Sequence, residues 1–406
     1  MKIALVYHRF HPNTGGVETY MRKLAEQYAA EGHKTAVFTS EPYYKESTRG
    51  EKSLRAQRPK TQVPWPATPA DGANTGYKVF YIKPRKFLGY PVPSKKALTL
   101  LKAFNPDIIH VNSPHPYSTA FAMQARKTSR KTRVPVIATY HGHANPTSRL
   151  KRAAARLERR LYGLLFKHMI VTSDFYKNQA AAFYPAKKIT SIPLGIDPVF
   201  LACTVTPREA RDLLDISHRR KIVLFVGAMD ASHYYKGIPE LLACAAKTPA
   251  VEYMLVGGGA DRAKYENLSA GLSNVTFCGP ADAENLPLYY KAADCLVLPS
   301  TSNSEGFGLV LLEAMASGTP IITTDVVGSA ELIRSKNAGL IIAPKNPESL
   351  EKGIIRLLGE HDLHRTLVAN GLVLAKNLTW TATARQTLKV YEIAKSSHQT
   401  IKKRAP

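Results

Sequence analysis

Two glutamates, Glu305 and Glu313, lie eight positions apart within the stretch 299–320, which reads PSTSNSEGFGLVLLEAMASGTP. Beside the first of them, Gly306 and Gly308 free the backbone to approach a ligand closely. An apolar run precedes the stretch and helically spaced apolar residues follow the glycines, so a strand, a glycine loop and a helix are predicted. Because the first N–H groups of a helix and its dipole favour negative charge, this succession predicts an anion-binding site.

The second glutamate, Glu313, falls inside the otherwise apolar predicted helix. A buried carboxylate costs free energy unless neighbouring groups donate hydrogen bonds to it. One interpretation is an Arg or Lys partner elsewhere in the core. The other is a hydroxyl-bearing ligand, with Glu305 and Glu313 binding different parts of it.

Other glycine and polar positions lie in the segments that follow predicted strands, at the edge where ligands bind in parallel α/β sheets. They are Gly15 and Gly16, Lys236, and His141, with His143 as a further candidate. Taken singly, each has a simpler interpretation: a tight turn for the glycines, a surface position for the lysine, and a hydrogen-bonded core or surface position for a histidine.

The stretch 299–320 resembles the glutamate, seven residues, glutamate signature of the retaining glycosyltransferases of family four. The resemblance implies that Glu305 lies beside the donor sugar and its phosphates, and that Glu313 binds the ribose hydroxyls. The residues implied for donor binding are Gly15, Gly16, Lys236, Glu305, Gly306, Phe307, Gly308, Leu309 and Glu313. Those implied for catalysis are His141, Glu305 and Lys236.

Other positions match or depart from the family's pattern. Gly15 and Gly16 are similar to its GG-x-E loop, and His141 is similar to its T-x-H strand ending, with Tyr140 intervening. The family's phosphate-binding arginine is replaced by Ala228, so His233 or a backbone amide is left as its substitute. Asn112 stands where a second histidine is common, and we assign it no catalytic role.

Strands and helices alternate in both halves of the chain, which is typical of doubly wound α/β domains. The resemblance implies the GT-B fold, with two facing Rossmann-like domains and a C-terminal helix returning to the first. We predict an acceptor-binding domain over residues 1–194 and a nucleotide-sugar-binding domain over 195–378. Residues 379–406 are predicted to form the closing helix and a basic tail.

The resemblance implies transfer of a sugar from a nucleotide-sugar donor to a carbohydrate or lipid-linked acceptor, with retention of configuration. No cofactor and no essential metal are expected, since the chain has no Asp-x-Asp motif. Two alternatives stay open: a nucleotide-sugar epimerase of related fold, which would need no acceptor, and a nucleic-acid-binding protein. The second leaves the two glutamates unexplained, so we expect no nucleic-acid partner.

Composition bounds the class of protein. The chain has 406 residues and a hydrophobic content of 44%, which is enough for two globular domains. No apolar stretch approaches the roughly 18 residues of a membrane span. Four cysteines are scattered without paired spacing, which fits a reducing cytoplasm and predicts neither a disulfide framework nor a metal site.

Positive charge is concentrated in the first half of the chain. Residues 1–200 hold 33 Lys and Arg against 11 Asp and Glu, a net charge of +22, and the remainder holds 23 against 20, a net charge of +3. The segment 83–96 interleaves lysines and arginines with Phe87 and Tyr90. This asymmetry predicts either docking on an anionic membrane at its cytoplasmic face or a solvated basic surface.

A basic helix is predicted over residues 148–168. Its leucines share one stripe, which we expect to pack on the sheet while the arginines face solvent; they are Leu150, Leu157, Leu161 and Leu164. Membrane contact by this helix is the alternative.

Overall fold

The computed structural model describes residues 1–11, 13, 15–40, 76–87, 90–128, 134–142, 149–282 and 284–404. Contacts among them divide the chain into two compact units. The first contains the described residues up to Gly195 together with those from Trp380 onward, and the second contains Ile196–Thr379. The sequence predicts a long loop over residues 41–76, where prolines stand among basic and small residues, and all of it except the last residue falls outside the described residues.

Strands and helices alternate along the described chain. The strands are β1 (Lys2–Val6), β2 (Lys34–Ser40), β3 (Lys78–Ile82), β4 (Arg85–Phe87), β5 (Tyr90–Val92), β6 (Ile108–Ser113), β7 (Val136–Tyr140), β8 (His168–Val171), β9 (Ile189–Ser191), β10 (Lys221–Val226), β11 (Val251–Val256), β12 (Val275–Gly279), β13 (Cys295–Leu298), β14 (Ile321–Thr324) and β15 (Leu340–Ile342). The helices are α1 (Gly16–Ala30), α2 (Lys95–Phe104), α3 (Pro116–Thr128), α4 (Arg149–Leu165), α5 (Asp174–Ala180), α6 (Pro198–Ala202), α7 (Pro207–Leu213), α8 (Ile238–Lys247), α9 (Arg262–Leu268), α10 (Leu286–Ala292), α11 (Leu309–Ala316), α12 (Ala330–Ser335), α13 (Pro347–Gly359), α14 (His361–Asn377) and α15 (Trp380–Arg404).

The described part of the first unit is built on a parallel sheet with the strand order β3-β2-β1-β6-β7-β8-β9. Its central strands are apolar and buried on both faces, as parallel sheets covered by helices require; β6, for example, is buried throughout. Because β1, β6 and β7 are neighbours with parallel registers, the segments that follow them leave the sheet at the same edge. This edge carries the predicted positions of the first unit.

The C-terminal helix α15 packs on α1 of the first unit. The Tyr28 hydroxyl of α1 donates to the Tyr391 hydroxyl of α15 at 3.2 Å. Tyr391 also contacts Nδ1 of the buried His110 at 2.5 Å, while His110 Nε2 lies 2.7 Å from Thr139 Oγ1. These buried polar groups satisfy one another. The predicted return of the last helix to the first domain is confirmed.

The described part of the second unit is built on a parallel sheet with the order β12-β11-β10-β13-β14-β15. Here β10 and β13 are neighbours in parallel register, with Val223 beside Cys295. The loops that follow these two strands therefore emerge side by side, although a long stretch of sequence separates them. One carries Lys236 and the other carries Glu305.

The packing predicted for helix α4 is wrong for two of its leucines. Leu157 is 61% exposed and Leu164 is 70% exposed, although both were expected to pack on the sheet. The inward face instead uses Tyr162 and Leu165, which are buried and are rotated about the helix axis away from Leu157. The side chain of Leu150 lies outside the described residues.

The basic segment 83–96 contains an antiparallel hairpin that the sequence did not predict. Strand β4 pairs with β5, with Arg85 opposite Val92. Arg85 and Lys86 are exposed, and helix α2 follows directly with exposed Lys95 and Lys96. The burial of the side chains from 87 to 90 lies outside the described residues.

Candidate active site

Lys236 and Glu305 form an ion pair in the second unit. Lys236 Nζ lies 2.7 Å from Glu305 Oε2, and the two side chains are only 10% and 12% exposed. A pair this far removed from water is favourable only when its geometry is good and its other polar groups are satisfied. The ammonium group has three N–H donors and Glu305 takes one, so Lys236 can bind an anion and keep its partner.

A close approach of two loops creates this pair. Gly237 has a φ of +76°, and a Cβ there would lie 2.0 Å from the Pro299 carbonyl oxygen. Only glycine permits both the left-handed conformation and the contact. The Thr301 N–H donates to the Tyr235 carbonyl at 2.7 Å. Together these contacts bring the loop after β10 against the loop after β13.

The glycine loop that follows Glu305 is held from behind. The Ser329 hydroxyl donates to the Phe307 carbonyl at 2.6 Å, and the Gly328 N–H donates to the Glu305 carbonyl at 3.2 Å. Gly308 then adopts a φ of +78° and begins α11 without a side-chain cap. The N–H groups of the first helical turn have no intrahelical partner, so this terminus has the properties of an anion site.

Glu313 lies one turn into α11, where a tyrosine donates to it. The Tyr290 hydroxyl donates to Glu313 Oε2 at 2.6 Å. Burial raises the pKa of Glu313 to about 7, while the Tyr290 hydrogen bond and the nearby charge of Lys236 oppose the rise. Among the described residues, the donor to Glu313 is this neutral hydroxyl of α10 and not the Arg or Lys partner that one interpretation of the sequence expected. Tyr290 uses one lone pair of the carboxylate, so further hydroxyl donors can bind.

The loop after β10 contains Ala228, which occupies the position of the family's phosphate-binding arginine, and His233, which was considered as its substitute. His233 Nδ1 lies 2.9 Å from Asp230 Oδ1, and the Ser232 hydroxyl contacts the same oxygen at 2.5 Å. His233 is therefore held within its own loop by a carboxylate. Lys236 is the cation that the structure pairs with Glu305.

In the first unit, helix α1 begins at Gly16 with Gly15 as its N-cap, again without a side-chain cap. A Cβ at Gly15 would lie 2.5 Å from Glu18 Oε2 and displace that carboxylate. Glu18 is buried and lies 3.2 Å from the Arg9 guanidinium. Gly15 therefore leaves room for the Glu18 carboxylate, which pairs with Arg9, at the start of the helix.

His141 follows β7 and is oriented by Asn112, a residue to which we assigned no catalytic role from the sequence. His141 Nε2 lies 2.7 Å from Asn112 Oδ1, and the Asn112 amide nitrogen donates to the Val6 carbonyl at 3.4 Å. Because Oδ1 only accepts, Nε2 carries the proton and Nδ1 keeps its lone pair. Burial lowers the pKa of His141 to about 3, so the imidazole is neutral. The pairing of β6 with β7 is the signal that could have predicted this contact.

The candidate residues thus form two groups. Gly15, Gly16 and His141 lie at one edge of the first sheet, where the Tyr20 ring of α1 meets the His141 ring edge-on at 5.0 Å. The other group lies at the strand ends of the second unit and consists of Lys236, Glu305, Gly306, Phe307, Gly308, Leu309 and Glu313. His143 falls outside the described residues.

Two family sequence models match the chain, one in each half. The model described as Glycosyltransferase Family 4 matches residues 14–200, and the model described as Glycosyl transferases group 1 matches residues 208–373. The chain belongs to the group 1 glycosyltransferases of family four. The glycosyltransferase also has the GT-B fold, with two parallel Rossmann-type sheets.

Individual relatives agree with this assignment. An uncharacterised glycosyltransferase of Methanocaldococcus jannaschii is 27% identical, covering 97% of this chain and 98% of its own. The phosphatidyl-myo-inositol mannosyltransferase of Mycolicibacterium smegmatis is 24% identical, covering 97% and 94%. The solved structure of HepE from Anabaena in complex with UDP-glucose is 18% identical with a TM-score of 0.72, covering 98% and 100%; at that identity it supports the fold alone.

Two general features bear on the site. No helix among the described residues combines the length and apolar composition that crossing a bilayer requires. Within the same residues, no three His, Cys, Asp or Glu side chains cluster as metal ligands would.

Proposed function

We propose that this glycosyltransferase moves a hexosyl group from a nucleotide-sugar donor to a carbohydrate or lipid-linked acceptor, with retention of configuration. The observation that carries the proposal is the arrangement of the second unit. There an ion-paired lysine and an uncapped helix terminus lie beside a partly buried carboxylate that has spare hydrogen-bonding capacity.

The diphosphate is the leaving group, and negative charge develops on it as the bond to the sugar breaks. Lys236 supplies positive charge, and the backbone from Gly306 to Leu309 supplies N–H donors and the positive end of the α11 dipole. Fixed donors of this kind stabilise developing charge most effectively where water is excluded. Glu305 holds Lys236 by an ion pair of 2.7 Å and lies beside the donor sugar.

Glu313 binds the two ribose hydroxyls of the nucleotide. Its ionised form accepts hydrogen bonds from both, and hydrogen bonds to a charged acceptor are the stronger ones. The Tyr290 hydroxyl fixes the carboxylate in this role. Ligand hydroxyls then favour the ionised form, so donor binding lowers the pKa of Glu313 from about 7.

In the first unit, Gly15 and Gly16 approach the donor phosphates, and neutral His141 hydrogen-bonds the reacting sugar through its unprotonated Nδ1. The acceptor hydroxyl attacks the anomeric carbon from the face that the diphosphate leaves. The new glycosidic bond forms as the sugar–phosphate bond breaks, and the acceptor proton passes to the departing diphosphate. Retention follows because attack and departure share one face.

The reaction needs no metal ion in this proposal. Lys236 and the α11 terminus together supply the charge stabilisation that a divalent cation gives other sugar-nucleotide enzymes. Donor and acceptor would then bind to the residues at the strand ends, and no further cofactor would be required.

We further propose that the enzyme acts at the cytoplasmic face of an anionic membrane on a lipid-linked acceptor. The support is the charge of +22 on residues 1–200 and the exposed basic residues of the hairpin and α2, namely Lys83, Arg85, Lys86, Lys95 and Lys96. Each basic side chain near an anionic leaflet contributes about 1 kcal/mol to binding. One relative of this chain, from Mycolicibacterium smegmatis, is named a phosphatidyl-myo-inositol mannosyltransferase, and that name specifies a lipid acceptor.

A panel of nucleotide sugars incubated with the protein tests the donor proposal. After removal of free ligand, mass spectrometry should find one nucleotide sugar retained by the wild type and lost from Glu313→Ala. Retention of none, or equal retention by both proteins, would contradict the assignment of Glu313. Donor consumption without acceptor and without release of nucleoside diphosphate would instead identify an epimerase.

A further inference from the structure

Helix α4 presents an exposed face that combines leucines with a row of arginines. Leu157 and Leu164 are 61% and 70% exposed, and a spacing of seven places them on the same side of the helix. The arginines are spaced by four and are all exposed, forming a row beside the leucines; they are Arg152, Arg156 and Arg160. We call these five residues the α4 face.

The rest of α4 is fixed by contacts with the first unit. The Tyr162 hydroxyl is buried and accepts from the Ser113 hydroxyl at 2.8 Å. Glu158, the one carboxylate in the helix sequence, accepts a hydrogen bond from the Thr119 hydroxyl. These contacts fix the rotation of the helix about its axis, and this rotation leaves Leu157 and Leu164 exposed. They also direct the acidic side chain away from the α4 face.

Helix α3 secures the end of α4. The Arg126 guanidinium donates to the Leu164 carbonyl and, at 3.5 Å, to the Leu165 carbonyl. A cation bonded to the last carbonyls of a helix satisfies groups that have no intrahelical partner and complements the dipole. Helix α3 packs against β5 of the basic hairpin as well as against α4. Helix α3 therefore links α4 to the basic hairpin within the first unit.

We propose that the α4 face is where the enzyme docks on an anionic lipid bilayer. Leu157 and Leu164 insert at the boundary between headgroups and acyl chains, and the arginine row binds the lipid phosphates. A helix lying in the interface needs both parts, an apolar side and flanking basic side chains. A nucleic acid would satisfy the arginines but would leave the leucines in water, so the bilayer accounts for more of the surface. This inference rests on the proposed action at a membrane and names the surface responsible.

Vesicle co-sedimentation tests the inference, using vesicles of phosphatidylglycerol and phosphatidylcholine in equal parts against vesicles of phosphatidylcholine alone. The double variant Leu157→Ser with Leu164→Ser should lower binding to anionic vesicles about 100-fold, since two leucine side chains no longer leave water. The matched control is Ile355→Ser with Val373→Ser. Those side chains are 55% and 62% exposed in the second unit, and the control should bind as the wild type does.

The triple variant with Arg152, Arg156 and Arg160 changed to Gln should lower binding by a similar factor of about 100 at low salt, at about 1 kcal/mol for each charge. Wild-type binding should fall as salt rises. If the leucine variant binds as the wild type does, the inference is wrong, and a loss confined to the arginine variant would then mean that the surface binds anions by charge alone without inserting into the bilayer.

Nucleoside diphosphate binding separates this inference from the proposed donor chemistry. Calorimetry should give the same affinity for every α4 variant as for the wild type, because the donor residues lie on other elements. Loss of vesicle binding with unchanged nucleotide affinity supports the α4 face. If the wild type binds neither kind of vesicle, both the proposed membrane docking and the assignment of the α4 face are wrong. The proposed nucleotide site is unaffected by that result.

Discussion

Glu313→Gln should make the unliganded protein more stable and its nucleotide binding weaker. Burial raises the pKa of Glu313 from 4.5 to about 7, so the folded state disfavours ionisation of this carboxyl. Below pH 4.5 the group is neutral in both the folded and the unfolded state, and no penalty arises. Between 4.5 and about 7 only the unfolded state ionises, so the free energy of unfolding falls as pH rises.

Above this interval the penalty is constant, at most about 3 kcal/mol for a shift of this size. Glutamine is neutral at every pH, and its carbonyl oxygen still accepts the Tyr290 hydrogen bond. The variant should therefore gain stability over the wild type above pH 7 and match it at the acid end. Urea unfolding at several pH values measures this difference, and Glu284→Gln, at an exposed position, is the control.

The same substitution should weaken nucleoside diphosphate binding about tenfold or more, because ribose hydroxyls lose a charged acceptor. Calorimetry measures this affinity. For the wild type the affinity should rise with pH up to about pH 7 and then level off, since binding favours the ionised carboxylate. A stability difference between Gln and Glu that is independent of pH, or an unchanged nucleotide affinity, would refute the assignment.

Other residues give separate tests. Lys236→Ala should lower kcat about 100-fold or more, because the diphosphate loses its charged partner; near-normal transfer would assign that role to another residue. Glu305→Gln should lower turnover more than nucleotide affinity, as steady-state kinetics and calorimetry would show. Asn112→Asp should raise the pKa of His141 from about 3 and move the acid limb of the pH–rate profile to higher pH; an unmoved limb would refute the orienting contact. Activity should survive excess chelator, and a loss restored by magnesium or manganese would contradict metal independence.

The sequence predicted the strand–loop–helix at Glu305 because glycines, apolar spacing and a helix start are local signals. It also predicted the two parallel sheets, since alternating apolar strands and helices specify them. The partner of Glu313 could not be predicted, because Tyr290 lies 23 residues away on α10 and nothing local links the two. The Lys236–Glu305 pair, 69 residues apart, likewise depends on β10 and β13 being neighbours.

The exposure of α4 shows a different limit of sequence reasoning. A leucine stripe on a basic helix predicts burial, yet Tyr162 and Leu165 make the inward contacts and leave Leu157 and Leu164 in solvent. Periodicity locates a face but cannot choose between two faces that both carry apolar side chains. Asn112 was passed over for a similar reason, since its role appears only when β6 and β7 pair.

Transfer of a labelled sugar tests the central claim most directly. The retained nucleotide sugar, labelled in its sugar, is incubated with the enzyme and a glycan or lipid-linked acceptor. We expect the label in the acceptor, one nucleoside diphosphate released for each sugar transferred, and by NMR the same anomeric configuration in product as in donor. Donor consumption that releases no nucleoside diphosphate, or a product of inverted configuration, would contradict the account.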